Sequence, residues 1–396
     1  MSKLMSKPVA MQMSSKAEAE RGVPLSPKLA FLFASFILVA VVANAFRIGS
    51  SHYAAFGTYW ASGYAARTGL NPFASYPLTN KMPIFALGEH HIVADVNLNP
   101  PCMLPLFSTM SRLPLVEFGI TWTAASLILL LSTVWLLVRR VPTMQTRQVV
   151  WLMLSIPVFD TFFGGQIYFL LMFLVAITWI FIDEPGELVS TLSLGLLVAI
   201  KPTTAFWPIF LFLAGRRRLA LRSLIVTALF TAFPLTLYGG VVYREWGEAI
   251  RNDNHWMVPT DIAIPAFFAR LGHPRAGLAV AFLFFAGLAW SIWKQRAGVE
   301  VASGVALCAT LLCAPLAWYD YSLMLAPVFV AHRWNKTETA MAFLLAAPYA
   351  FGALLLLPFG SLISPSAGGV PYAAAVSVIL ICYLRKARSI TGHISS

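Results

Sequence analysis

Apolar runs recur from Leu29 almost to the C-terminus, and short basic clusters punctuate them. This pattern restricts the chain to one kind of fold. Runs of that length are solvated by lipid, and inside a bilayer the backbone must satisfy its own hydrogen bonds, so each run is expected to be helical. Leu29–Phe46 is the first run. Others cover 117–138, 149–159, 167–182, 189–200, 203–214, 219–239, 276–293, 301–317, 321–331, 338–358 and 370–384. Several are too short to cross a hydrocarbon core of about 30 Å as straight helices, which predicts broken helices around a buried cavity.

Composition agrees. The chain is 59% hydrophobic and only 11% charged, whereas soluble domains carry about 25% charged residues. Its formal charge of +12 sits mostly in the clusters Arg139–Arg140, Arg216–Arg218 with Arg222, Lys294 with Arg296, Arg333 with Lys336, and Arg385–Arg388. Such placement sets membrane orientation and gives no reason to expect a nucleic-acid partner. With every cluster on the cytoplasmic side, the reading is an all-α polytopic membrane protein of about twelve spans (range 10–13) with both termini inside. A variant of this topology treats Pro100–Leu115 as a full span. Residues 1–27 read as a polar cytoplasmic tail without a removable signal, 28–386 as one transmembrane domain and 387–396 as a second tail. Cys102, Cys308, Cys313 and Cys382 lack metal-ligand spacing and read as small buried hydrophobes.

Polar breaks carry the candidate chemistry, and this topology collects them, with two long loops, on the outer face. Cys313–Tyr321 puts Asp320 beside Trp318 and Tyr319, between two apolar runs. A carboxylate within a helical span costs about 2.5–3.5 kcal/mol at its centre and less near the interface, so Asp320 reads as functional. Lys201-Pro202 follows Ile200 directly and calls for a carboxylate, carbonyl dipoles or a phosphate as partner. Asp160 and Gln166 bracket a glycine break. The first outer loop holds Tyr59-Trp60, then Asp95 and Asn97–Pro101; Glu89, His90 and His91 beside Asp95 leave open a divalent cation, without diagnostic spacing. The second mixes aromatics with Asn, Asp and His, including His255, Trp256 and Asp261, and ends at Arg270. This mixture suits either a sugar or an amphipathic loop lying on lipid.

Taken together, the segments from about Phe31 to Val330 resemble the polyprenyl-phosphate-sugar-dependent glycosyltransferases of the C superfamily, specifically family 87, the bacterial mannosyltransferase-like group. The resemblance rests on the order of Phe56–Tyr59, Asn71–Phe73, Asn99–Pro101, Gly165-Gln166, Gly195 leading to Lys201-Pro202, Arg270-Leu271 and Pro315–Trp318. Three positions depart from the family pattern. Ala55 stands where the family usually has its catalytic Asp, and Asp320 where it usually has His; Asp261 falls where Asn is common.

The resemblance implies a transmembrane bundle with long outer loops carrying short interfacial helices. It also implies transfer of a hexose, mannose-like, from a polyprenyl phosphate to a lipid or glycan hydroxyl at the outer face of the cytoplasmic (inner) membrane. Its partners are then the lipid-linked donor, the acceptor and membrane lipids, with no cofactor. Asp320 is the expected base and Asp95 the alternate. Lys201 and Arg270 would hold the phosphate, and His255, Trp256, Tyr59, Gln166 and Trp318 would line the substrate pocket. A transporter or flippase of a lipid-linked glycan, and a catalytically silent relative, stay open as alternatives.

Overall fold

The computed structural model describes residues 55–84, 91–141, 144–183, 187–252, 261–346 and 370–392, with fragments of a helix between 33 and 42. Helices dominate. α1 (Ala55–Thr68) precedes a β-hairpin, β1 (Asn80–Ile84) and β2 (His91–Asp95). There follow α2 (Leu104–Met110), α3 (Leu115–Arg140), α4 (Thr146–Leu154), α5 (Ile156–Gly164), α6 (Tyr168–Phe181), α7 (Leu188–Ile200), α8 (Phe206–Leu213) and α9 (Arg217–Tyr238). The chain continues through α10 (Val241–Arg251), α11 (Ile264–Arg270), α12 (Pro274–Gln295), α13 (Val299–Cys313), α14 (Ala326–Val330), α15 (Lys336–Ala346) and α16 (Val370–Gly392). Short 3-10 turns cover Pro101–Met103, Pro202–Ala205 and Tyr319–Leu325.

The all-α expectation needs one correction. In the first loop β1 and β2 pair antiparallel, Asn80 opposite Asp95 and Ile84 opposite His91. A hairpin suits this stretch because Ile92 and Val93 are β-branched and its backbone pairs locally without a helical partner. The short loop helices are present as α10 and α11.

Among the described residues three helices, α3, α9 and α12, are long and apolar enough to cross a membrane. Their outer faces bear large apolar side chains, with Ile225, Leu229, Phe282 and Leu283 all at least 60% exposed. On a soluble bundle those faces would be buried; here they are suited to lipid. Other apolar stretches among the described residues form shorter helices, including α6, α7 and α13. α4 and α5 join end to end at Ser155, with Pro157 in the first turn of α5, where a missing N–H costs nothing. Pro101–Met110 is one such short piece, at about 1.5 Å per residue well below a full span.

Close helix packing positions the breaks. Gly195 lets α7 press on α9: a Cβ there would lie 2.5 Å from Val226, and Thr227 Oγ1 donates to Gly195 O at 3.0 Å. Small residues are what allow such approach in lipid. Some buried polar groups bond across helices, as where Trp207 Nε1 donates to Ser303 Oγ at 2.9 Å. Arg216 bonds Asp183, and Arg222 lies 3.9 Å from Glu187. These pairs mark the end of the bundle where α9 begins, the end opposite the cavity described next.

Candidate active site

A cavity of about 330 Å³ lies where α1, the segment after the hairpin, the α7–α8 break, α10 and the late Pro315–Tyr321 segment converge. Two of its walls depend on helix termination. α7 ends at Lys201, whose extended backbone (φ −132°, ψ 85°) and following Pro202 stop the helix and leave the lysine at the break. α5 ends at Gly165 with φ 64°. A side chain there would be strained, and its Cβ would meet Phe56 at 3.0 Å. The reversal presents Gln166 to the cavity, while the Gly165 carbonyl accepts from Trp122 Nε1 at 2.8 Å.

Tyr59 donates to Gln166 Oε1 at 2.8 Å. Its ring stacks on Phe107 at 4.7 Å and is backed by Trp122 at 5.3 Å. Lys201 Nζ donates to the Tyr321 hydroxyl and lies 3.8 Å from that ring's centroid, a geometry that compensates a desolvated ammonium. Tyr168 meets Tyr321 edge-on at 4.9 Å, and Trp318 lies beyond at 6.5 Å. Trp246 Nε1 donates to Leu98 O at 3.0 Å, tying α10 to the wall that Leu98 and Asn99 supply. That wall is held by Asn97, whose Oδ1 accepts from the Asn99 N–H at 3.0 Å and whose Nδ2 donates to Ser62 Oγ at 2.8 Å.

Of the expected site residues, Tyr59, Gln166, Lys201 and Trp318 line this cavity together. Asp320 does not. It is 6% exposed and sits in the 3-10 turn Tyr319–Leu325. At three residues per turn, Trp318 and Tyr321 share the face toward the cavity and Asp320 is carried off it. Its charged neighbour is Asp160, which accepts from the Tyr319 hydroxyl. Arg270 is also off the cavity, donating to Asp261 O at 3.1 Å. His255 and Trp256 lie outside the described residues, as do Glu89 and His90; for Asp95 and His91 only the backbone is described. Asp95 immediately precedes Val96, which lines the cavity. No carboxylate is among the described lining residues, and Ala55 is one of them. Sequence reasoning assigned no role to Tyr168, Trp246 or Tyr321; the Trp318–Tyr321 spacing was the available signal for the last.

Asp261 holds the second outer loop against the late segment. Fully buried, its Oδ1 accepts from the N–H groups of Ala263 at 2.9 Å and Ala317 at 3.1 Å. Ile262 N–H donates to Ala317 O at 2.8 Å, closing a bridge between Asp261 and Trp318. Lys201 and Arg270 both lie within electrostatic reach of this carboxylate. Burial pushes it up to about 7 from an ordinary 3.8, against the pull of its two N–H donors and both cations. The folded chain therefore holds this proton more tightly than the unfolded chain. The resulting stability is complete below pH 3.8 and is lost as pH rises to about 7. Asp261→Asn keeps the acceptor and should flatten that decline in melting temperature. Asp261→Ala strands two buried N–H groups and should destabilise at every pH, by about 1–3 kcal/mol for each. Thermal melting across about pH 4–8 checks both, and a decline that survives in Asp261→Asn refutes the assignment.

The family model described as Glycosyltransferase family 87 matches residues 97–318. The match opens at Asn97, which holds one cavity wall, and closes at Trp318, which lines another. No curated protein and no solved structure matches the chain.

Proposed function

This chain belongs to glycosyltransferase family 87, and on that footing we propose that it moves a hexose, mannose-like, from a polyprenyl-phosphate donor to a hydroxyl of a lipid or glycan acceptor. The observation that carries the reading is Lys201, a cation held on the wall of a cavity whose lining also includes Tyr59, Tyr168, Trp246, Trp318 and Tyr321. Aromatic faces suit a sugar ring, and a desolvated ammonium suits a phosphate. The cavity lies opposite the Arg216–Arg222 end of the bundle. With basic residues on the cytoplasmic side, it faces outward across the inner membrane, and the remaining apolar runs complete about twelve spans.

The chemistry needs one base. The acceptor oxygen attacks the anomeric carbon as the bond to the phosphate oxygen breaks. Its proton passes to a carboxylate, and polyprenyl phosphate leaves with the electron pair, its growing charge met by Lys201. Asp95 is the better-placed carboxylate, since the next residue lines the cavity. Asp320 stands behind the wall beside Asp160, where repulsion between two carboxylates away from water opposes keeping both as bases. Arg270 acts through Asp261 and not on the phosphate. His255 and Trp256 stay as proposed sugar contacts from the loop that Asp261 anchors.

Ala55 in the cavity wall favours one second reading, a relative that binds the lipid-linked sugar without transferring it. Incubating the purified chain with radiolabelled polyprenyl-phosphate mannose and a membrane lipid acceptor fraction separates the readings. Labelled glycolipid is the expected result. Bound donor without product supports the silent relative, and label carried across a vesicle bilayer without product supports a transporter.

A further inference from the structure

A second cavity, about 330 Å³, opens at the other end of the bundle, where α8 ends, α9 begins and α12 finishes. One wall holds Phe212, Gly215 and Arg217, and the other Trp293 and Arg296. Arg217 stacks over Phe212 at 5.4 Å, and Arg296 closes α12 in a left-handed turn with φ 47°. Two nearby cations have carboxylate partners, Arg216 with Asp183 and Arg222 with Glu187 at 3.9 Å. Among the described residues no carboxylate pairs with Arg217 or Arg296. Among those residues, then, both guanidinium groups line the cavity without a carboxylate partner. The first turn of α9 adds backbone N–H groups without helical acceptors, and its cap residue Arg216 makes no side-chain capping bond.

The surroundings identify the kind of anion. Trp290 and Trp293, 5.1 Å apart, are 59% and 55% exposed beside the cavity, as interfacial indoles are. Further along the same two helices, Ile225 and Leu229 of α9 and Phe282 and Leu283 of α12 face outward. A cationic mouth above an apolar skirt fits a molecule with a phosphate head and acyl tails. A soluble phosphate ester would leave the skirt unused.

We propose that this cavity is a binding site for the phosphate headgroup of an anionic phospholipid in the leaflet facing the basic end of the bundle. Phosphate oxygens take the two guanidinium groups, and the acyl chains lie along α9 and α12. The site is separate from the transfer cavity, and its occupancy does not depend on which sugar or acceptor is used there.

Native mass spectrometry of the full-length chain, titrated with phosphatidylglycerol or phosphatidylcholine of identical acyl chains, tests this. Wild type should retain phosphatidylglycerol preferentially. Arg217→Gln with Arg296→Asn should weaken it about thirty-fold and leave phosphatidylcholine unchanged. Asn tolerates the left-handed backbone at 296, and Arg139→Gln with Arg140→Gln is the control that should not affect the preference. A measurement needing no variant accompanies it: the wild-type preference should fall when ionic strength is raised from about 0.05 to about 0.5 M. Equal retention of both lipids, an unchanged preference in the double variant, or a preference indifferent to salt overturns the proposal. Displacement of the lipid by equimolar inorganic phosphate overturns it as well, because the site would then belong to a soluble phosphate.

Discussion

Replacing Asp95 by Asn should reduce sugar transfer by about 10²–10⁴-fold, the range a positioned general base contributes. Asp320→Asn should leave transfer within about tenfold of wild type. The contrast follows from location. A base has to come within hydrogen-bond reach of the acceptor hydroxyl, directly or through one water. Asp320 is almost wholly enclosed, on the face of its 3-10 turn away from the cavity, with Asp160 as its charged neighbour. Asp95 is joined to a lining residue by one peptide bond. Initial rates at saturating donor, measured for both variants and corrected for folded protein, decide between them. The reverse pattern would return the role to Asp320 and require its wall to open during turnover.

The second large effect belongs to Lys201. Lys201→Met keeps the length and the apolar stem while removing the charge proposed to meet the departing phosphate. Transfer should fall by about 10²–10³-fold, as when one electrostatic stabiliser of a transition state is lost. Because leaving-group charge grows along the reaction, kcat should fall more than KM rises. The fold should tolerate the change, since an uncharged side chain has less to lose against the Tyr321 ring than a buried ammonium. Tyr321→Phe serves as the companion variant. It removes the hydroxyl that accepts from Lys201 but retains the aromatic face, so a loss well below that of Lys201→Met is expected. A Lys201→Met protein that transfers at the wild-type rate would place phosphate recognition elsewhere in the chain.

The helix breaks were legible because they are local. Lys201-Pro202 and Gly164–Gln166 interrupt apolar runs with residues that cannot continue a helix or that bend it, and both interruptions occur in the structure and line the cavity. The hairpin was not legible. Its strands are brief, and Pro83 in β1, the polar start Asn80-Lys81 and the polar ends His91 and Asp95 of β2 obscure any alternation. Asp320 shows a different limit. Its cost in an apolar environment was plain from sequence, but a costly residue is equally satisfied behind a wall or on it. Asp261 shows the converse: in sequence it looks like any polar loop residue, and only its burial against the Ala317 N–H marks it as an anchor.

What the sequence determined alone is the solvent and the punctuation: a helical membrane chain, because uninterrupted apolar runs leave the backbone no partner but itself, with polar residues gathered at the breaks. Tertiary structure alone decided which of those residues meet. Tyr59 reaches Gln166 across 107 positions and Lys201 reaches Tyr321 across 120. Contacts at that separation depend on how helices rotate and pack against one another, and that rotation is set by the sum of many small side-chain fits, such as Gly195 against Val226.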